Sequence, residues 1–296
     1  LQVAVVGAGL AGLGVSYFLL KRGFKVTLFD KEGVGRGASK IDIGLCHPYV
    51  GRSGKPSKFA REALALTSNL IAEVEEKLKI TLADRSGILR IDWKPFELYD
   101  DVKEVENGFL ITSGITVYLK KYVNALYKAM DSIKFEKRNV TNESELEGFD
   151  RVIFCSGHGI NEVAENLPLN YVKGQVLFTD ANYPIITTVM KAHGHLSPLP
   201  EGGFQLGASY EHHFESVEPD LNSAFNHMKA KLDAFFSPEE QAKFTSCQAG
   251  VRVTNQEGYL PFVKQISEKS FIFSGLGSRG LLYHAYYGRH LANMIT

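Results

Sequence analysis

Val3-Ala4-Val5-Val6-Gly7-Ala8-Gly9-Leu10-Ala11-Gly12 opens the chain, and the next strand-like run, Lys25-Val26-Thr27-Leu28-Phe29, leads directly into Asp30. An apolar strand, the spacing G-x-G-x-x-G, a helix, a second strand and an acid occur in that order, which is the dinucleotide-binding fingerprint in its required context. Gly7 permits the tight turn out of the strand. Gly9 has no Cβ, so the backbone can approach a pyrophosphate, whose charge then rests on the free N–H groups and positive dipole end of the helix beginning at Leu10 and Ala11. Gly12 lets that helix pack close to the sheet. The helix runs through Leu13, Phe18, Leu19 and Leu20 and is expected to stop at Gly23, an αL cap. Asp30, eighteen residues beyond Gly12, suits a ribose 2′-hydroxyl and repels a 2′-phosphate, which argues against NADP.

Working outward, 296 residues exceed one average domain and can bury a substantial core. Hydrophobic residues at 44% and charged residues at 22% describe a globular chain, and 33 basic against 33 acidic side chains give no bulk affinity for polyanions. The three cysteines, Cys46, Cys155 and Cys247, are odd in number and lack C-x-x-C spacing, so the expectation is buried thiols in a reducing, cytoplasmic compartment. The apolar N-terminal stretch has no basic leader and is interrupted by glycines, and no run reaches membrane-spanning length, so no membrane partner is expected.

Ala63, Leu66, Leu70, Val74 and Leu78 recur at helical spacing, as do Leu119, Tyr122, Val123, Leu126 and Met130. Short strand-like pieces around Gly87–Ile91 and up to Ile111 lie between them. A second strand-rich stretch runs from Gln175 to Tyr210, then a helix through Leu221, Phe225, Met228, Leu232 and Phe235, and a capping box at Ser237-Pro238-Glu239-Glu240. Neither strand-rich stretch looks doubly wound. The expected fold class is α/β, a Rossmann-type FAD-binding domain with an inserted mixed or antiparallel-sheet substrate domain. The expected division is 1–80, 135–165 and 250–296 for the first and 81–134 and 166–249 for the second.

Two later segments complete the nucleotide domain in this reading. Arg151–Cys155 is a buried strand ending in the turn Ser156-Gly157-His158-Gly159, and Ser270–Ser274 is another, leading through Gly275-Leu276-Gly277-Ser278-Arg279-Gly280 into a last helix. That second glycine-rich strand-to-helix turn offers a further helix N-terminus to the same long cofactor, and it suits the negative charge carried by a reduced flavin ring. No second complete fingerprint serves a nicotinamide, so FAD fits better than NAD.

The sequence resembles the FAD-dependent amine oxidoreductases of the D-amino-acid oxidase and glycine oxidase superfamily, and within it the FAD domain of the tRNA wobble-uridine modification enzymes. The resemblance rests on Gly37-Ala38-Ser39, Gly44-Leu45-Cys46-His47-Pro48, Gly174-Gln175-Val176, Gly194-His195-Leu196-Ser197-Pro198, Gly207-Ala208-Ser209-Tyr210, Gly250-Val251-Arg252 with Leu260-Pro261, and Gly277-Ser278-Arg279-Gly280-Leu281. It implies non-covalent FAD and hydride removal from a carbon next to an amine nitrogen. The substrate it implies is the carboxymethylaminomethyl group of tRNA wobble uridine, with oxidation of a free glycine, sarcosine or D-amino acid as the alternative. It further implies cofactor contacts at Gly7, Gly9, Leu10, Ala11, Gly12, Asp30, Lys31, Ala38, Ser39, Gly157, Gly277, Ser278, Arg279, Gly280 and Leu281. Whether oxygen or a protein partner takes the electrons is left open. The stretch from Val253 to Leu260 departs from the tRNA enzymes: it lacks the arginine and aspartate expected there and is one residue longer.

A bidentate arginine is the natural grip for a substrate carboxylate. Arg252 matches the arginine that holds it in glycine-oxidase-like members, with Arg279 as its partner or a flavin contact. Tyr210 and His195 are further candidates for the catalytic pocket, with Tyr259 and Tyr283 behind them. His193, His195, His212 and His213 have no acidic or cysteine companion at ligand spacing, so no metal is expected. Cys46 reads as an inert buried thiol in preference to a flavin attachment point. Arg52, Lys55, Lys58 and Arg61 form a basic run that a tRNA substrate would use.

Overall fold

A run as uniformly apolar as Val3–Val6 belongs at the centre of a parallel sheet, and the computed structural model, which describes residues 1–51 and 53–295, puts it there. Arg52, named above in the basic run, lies outside the described residues. In chain order the elements are β1 (Gln2–Val6), α1 (Leu10–Lys21), β2 (Lys25–Asp30), β3 (Ile43–Cys46), α2 (Ala60–Leu78), β4 (Ala83–Asp84), β5 (Ile88–Arg90), β6 (Val102–Val105), β7 (Gly108–Ile111), β8 (Ile115–Tyr118), α3 (Leu119–Ala129) and β9 (Lys134–Lys137). They continue with β10 (Arg151–Phe154), β11 (Leu169–Thr179), β12 (Thr188–Lys191), β13 (Gly194–Pro198), β14 (Phe204–Gly207), α4 (Leu221–Phe235), α5 (Pro238–Gln241), β15 (Ser246–Asn255), β16 (Phe262–Gln265), β17 (Ser270–Ser274) and α6 (Gly280–Met294).

The first sheet has the order β16-β17-β10-β1-β2-β9, parallel except for the edge strand β16. Alternate residues of its central strands face opposite cores. Val3, Val5, Val26, Leu28 and Ile153 meet α1, α2, α3 and α6, while Ala4, Val6, Phe29, Val152 and Phe154 meet a thinner layer holding Leu146, Ile160, Leu169 and Val253. The two helices that start at the glycine-rich turns cross closely: a Cβ on Gly14 of α1 would stand 2.7 Å from the His284 carbonyl oxygen, and one on Gly288 of α6 would stand 2.8 Å from the Gly14 carbonyl carbon. Only glycine permits that approach, and it brings the N-termini of α1 and α6 to one cavity.

The second sheet, β15-β11-β14-β13-β12-β5-β7-β6, is mixed, with β5 and β12 its parallel pair. Period-two alternation gives it two different faces. Leu177, Leu196, Phe204 and Leu206 pack beneath α4 on Ala224, Met228 and Leu232, whereas their neighbours Val176, His195 and Gln205 turn to the cavity. A three-stranded sheet, β3-β8-β4, bridges the halves. Buried hydroxyls tie it to the second sheet, Thr116 to Thr188 at 2.7 Å and Thr188 to Ser197 at 2.9 Å.

The packing does not follow the expected division at 81 and 134. Leu82, Ala83, Ile115 and Val117 share one core with β1 and α1, as do Leu119, Tyr122, Val123 and Leu126 of α3. The apolar stripe of α3 is broad and faces α1 and α2, so a boundary after it, at 134, cuts that helix off from the helices it covers. The division at 250 likewise falls inside β15, which pairs with β11 continuously from Leu169↔Asn255 to Phe178↔Ser246.

Candidate active site

A single cavity of about 390 Å³ runs from the turn after β1 to the second sheet. Its cofactor end is made mostly of backbone. Gly7 sits at φ +108°, and a Cβ there would lie 2.3 Å from the Cys155 carbonyl oxygen. Helix α1 starts at Gly9 with no side-chain cap and no acid in its first turn. The Leu10 amide donates to Ser39 Oγ at 3.2 Å, tying the turn Ala38–Lys40 to that helix. Asp30 accepts from the amides of Ala8 at 2.8 Å and of Glu32 and Gly33 at 2.9 Å, so its carboxylate also fixes the loop that follows it.

The expected cofactor residues Gly7, Gly9, Leu10, Ala11, Asp30, Ala38, Ser39, Gly157, Gly277, Ser278, Gly280 and Leu281 line this cavity. Three others do not. Gly12 lies behind the wall, where a Cβ would come within 1.8 Å of the Gly7 carbonyl oxygen, so its glycine serves the turn. Lys31 lines a smaller recess of about 80 Å³ beyond Asp30, opposite Glu162 at 3.9 Å. Arg279 sits outside, with its guanidinium 4.8 Å from the ring of the exposed Tyr259. It ends the turn Gly277–Arg279 at the N-terminus of α6 and is not among the residues lining the cavity, although Tyr210, the ring against Arg252, is among its electrostatic neighbours.

The other end of the cavity is made of side chains. Arg252, on β15, reaches across β11 at Gly174, where a Cβ would stand 2.3 Å from its Nη2. Nη2 donates to the Ser209 carbonyl at 2.7 Å, the Tyr210 ring lies 4.2 Å from the guanidinium, and Nε is buried without a partner. No acid lies within ion-pair distance of Arg252 among the described residues, and burial pulls its guanidinium below the usual arginine range. The strap carrying Ser209 and Tyr210 is held from below. The Gln175 amide donates to Ser209 Oγ at 2.8 Å, and Ser209 Oγ donates to the buried carboxylate of Glu211.

Four histidines line the cavity, His47, His158, His193 and His195, and two of them, His47 and His195, are strongly desolvated. His195 is held down to about 4 by burial first and then by the charges of Lys231 and Arg252. His47 is held down to about 3 by burial, with Arg90 and His195 adding to it. Both are neutral at physiological pH. Gln205 fixes the tautomer of His195. Its Oε1 accepts from the Ile43 amide at 3.0 Å and its Nε2 donates to the Ile43 carbonyl at 3.2 Å, so the second Nε2 hydrogen faces His195 Nε2 at 3.3 Å. His195 Nε2 is therefore the acceptor, and Nδ1 carries the proton.

His47, Gln205, Gly174 and Met190 were not among the sequence-derived site residues. His47 and Gly174 stand inside motifs that carried the resemblance, which is the signal that marks them; nothing local marks Gln205 or Met190. Of the remaining candidates, Tyr283 is buried with its hydroxyl donated to the Lys58 carbonyl at 2.8 Å, and Tyr259 is exposed. His212 and His213 are exposed, and Cys46 is buried outside the cavity wall with its thiol pushed up by desolvation.

Comparison with known proteins bears on this arrangement. The description "DAO: FAD dependent oxidoreductase" matches residues 2–294. The chain is 26% identical over 267 residues to the tRNA 5-methylaminomethyl-2-thiouridine biosynthesis bifunctional protein MnmC of Leptospira borgpetersenii, covering 74% of this chain but only 40% of that protein. It is 24% identical to a D-amino acid oxidase of Dugesia ryukyuensis, covering 85% of this chain and 82% of that one. Its fold superposes on a glycine oxidase from Bacillus cereus with a TM-score of 0.80 at 19% identity, over 99% of this chain and 96% of that one. These similarities support the superfamily without singling out the tRNA enzymes within it. No helix among the described residues is long and apolar enough to cross a membrane. An uncapped helix N-terminus after a glycine turn, an acid at the end of β2 and a neutral, arginine-bearing wall in one cavity agree with that match: the chain belongs to the DAO family of FAD-dependent oxidoreductases.

Proposed function

We propose that the substrate is a free small amino acid of the glycine, sarcosine or D-amino-acid kind, held by its carboxylate on Arg252. The observation that carries this reading is the guanidinium itself, enclosed in the cavity wall with a buried, unpartnered Nε and no acid within ion-pair distance among the described residues, Glu211 acting on it only from further off. Burying a charge without a counter-ion is costly, and a ligand carboxylate supplies the missing partner. The near end-to-end match to a D-amino acid oxidase supports the same substrate class.

The cavity fits FAD along its length. In this reading Gly9, Leu10 and Ala11 face the pyrophosphate, Asp30 the ribose, the recess at Lys31 the nucleoside end, and Ala38, Ser39 and the Gly277–Leu281 turn the flavin end. FAD, when bound, supplies the acceptor for the electron pair and hydrogen leaving the carbon next to nitrogen. The chain's residues do the positioning. Arg252 fixes the carboxylate, the Tyr210 ring lies against its guanidinium, and the neutral imidazoles leave Arg252, Lys231 and Arg90 as the nearby positive charges. A cationic ammonium is repelled there, which favours the amine form that chemistry needs.

A second reading, the carboxymethylaminomethyl group of tRNA wobble uridine, draws on one observation. Lys55 and Lys58 lie over the rings of Phe96 and Phe59, at 3.8 and 4.9 Å, and both rings are exposed. Cations interleaved with aromatics suit a nucleic acid. Anaerobic bleaching of the flavin's visible absorbance decides between the two. Bleaching by a free amino acid and not by tRNA bearing the modified base supports the first reading, and the reverse result overturns it.

A further inference from the structure

We infer that His47 is the residue that receives the reacting amine, accepting a hydrogen bond from its N–H so that the C–H bond between carboxylate and nitrogen is held in one orientation. The inference rests on the reading of Arg252 as the carboxylate grip, and it holds for either substrate class, since in both the reacting carbon stands between a carboxylate and a nitrogen.

His47 is only 4% exposed, yet it lines the cavity. Neither of its ring nitrogens has a hydrogen-bond partner among the described residues, and Nδ1 is sealed from solvent. With Nδ1 sealed, Nε2 is the ring nitrogen left to meet a ligand in the cavity, and a buried polar group without a partner is costly for a fold to keep unless a ligand satisfies it. Its surroundings decide what kind. The groups facing it are the Arg90 guanidinium, which donates to the Tyr49 carbonyl at 2.8 Å, and the neutral His195. No carboxylate is among them, so the imidazole stays uncharged and keeps a lone pair to offer.

His47 and His195, the two strongly desolvated histidines of the cavity, are not equivalent. His195 has already committed its acceptor nitrogen to Gln205, and its other nitrogen carries a proton. It can donate to a substrate but cannot accept from one. Of the two, His47 alone has a free acceptor. With Arg252 fixing one end of the substrate, a second contact at nitrogen removes the rotation about the bond joining the carboxylate to the reacting carbon, and that rotation is what moves the C–H bond off line.

The test uses the FAD-loaded enzyme and separates the amine from the carboxylate. Apparent affinity for an amino acid that bleaches the wild type is taken from anaerobic bleaching rates. Affinity for acetate, which has the carboxylate and no nitrogen, is taken from its perturbation of the flavin spectrum. His47→Leu is expected to weaken the amine about tenfold, the worth of one hydrogen bond, and to leave acetate unchanged, while His47→Gln, which keeps an acceptor, recovers part of the loss. Equal weakening of both ligands, or of neither, overturns the inference. Should the leucine variant fail to hold flavin, nitrogen NMR of histidine-labelled wild type reads the same contact. The His47 ring resonances shift with the amine and not with acetate, and their failure to move overturns it. If no free amino acid bleaches the wild type, the free-substrate reading fails by itself, and the same comparison runs with carboxymethylaminomethyl-uridine against carboxymethyl-uridine.

Discussion

The two ends of the cavity are built on opposite principles. At the cofactor end the working surface is backbone: an uncapped helix start at Gly9, a left-handed turn at Gly7, and glycines that let α1 and α6 touch. At the substrate end it is side chains, Arg252, His47, His195 and Tyr210, delivered by β15, the end of β3, β13 and the strap after β14. Backbone sites need particular residues at fixed local spacing. Side-chain sites need only that strands far apart in sequence pair in the right register, as Gly174 and Gly250 do across β11 and β15. The first kind tolerates almost no substitution at its glycines, while the second kind fails one function at a time.

The largest effect follows from the first kind. In Gly12→Val the new side chain meets the Gly7 carbonyl oxygen, where even a Cβ would stand at 1.8 Å, and neither atom belongs to a flexible group. The turn must open, and with it the pyrophosphate cradle. The expected outcome is protein purified without flavin, read from the ratio of visible to protein absorbance. Retention of a full complement of flavin would mean that the backbone end is less rigid than the comparison holds.

Arg252→Met probes the second kind and should leave flavin content intact. Truncating one side of a buried charge-assisted contact typically costs about 2–5 kcal/mol, so the rate of bleaching at low substrate should fall roughly thirty- to several-thousandfold. Arg279→Met, by the same measurement, should change it far less, because that guanidinium lies outside the cavity wall. Equal losses from the two would move the carboxylate grip toward the mouth.

How much of this was legible in the sequence divides along the same line. Gly7, Gly9, Gly12 and Asp30 follow from spacing alone, because the chemistry of a helix N-terminus is local. Arg252 was reached through resemblance, since nothing within β15 distinguishes it from an arginine in an ordinary salt bridge. His47 stood in a quoted motif without a role, because an unsatisfied imidazole is a property of what surrounds it. The misplaced boundary at 134 has a related cause. The stripe of α3 reads correctly as amphipathic, but its sequence does not say which sheet it covers.

Acid should weaken both ends through their buried histidines. His284 belongs to the cofactor half, where Nδ1 donates to the Leu281 carbonyl and Nε2 accepts from Tyr122, both at 2.8 Å, and burial holds it down to about 4. His195, at about 4, and His47, at about 3, belong to the substrate half. All three folded values lie below the unfolded one near 6.5, so the unfolded chain binds more protons as pH falls. Their stabilising contribution is full above about pH 6.5 and is lost on acidification through about 4, continuing toward 3 for His47. Each histidine adds up to about 1.4 kcal/mol per pH unit to the slope within its window. Denaturant titrations between neutral and mildly acid pH should show a shallower slope for His284→Gln than for the wild type. An unchanged slope would show that His284 is not held neutral.

The smallest effect is the most discriminating. A Cβ at Gly174 would stand 2.3 Å from Nη2 and 2.7 Å from Cζ of Arg252, but these atoms end a flexible side chain, so the ladder between β11 and β15 survives while the guanidinium swings aside. Gly174→Ala should therefore keep its flavin and its melting temperature, yet raise the apparent dissociation constant of the carboxylate about tenfold by moving the grip without removing it. Adding Gly174→Ala to Arg252→Met should then cost little more, because the methionine leaves nothing for the methyl group to displace. A full additional loss in the double variant would mean that Gly174 acts on the ligand directly, and the side-chain end of the cavity would then depend on a bare stretch of backbone as the cofactor end does.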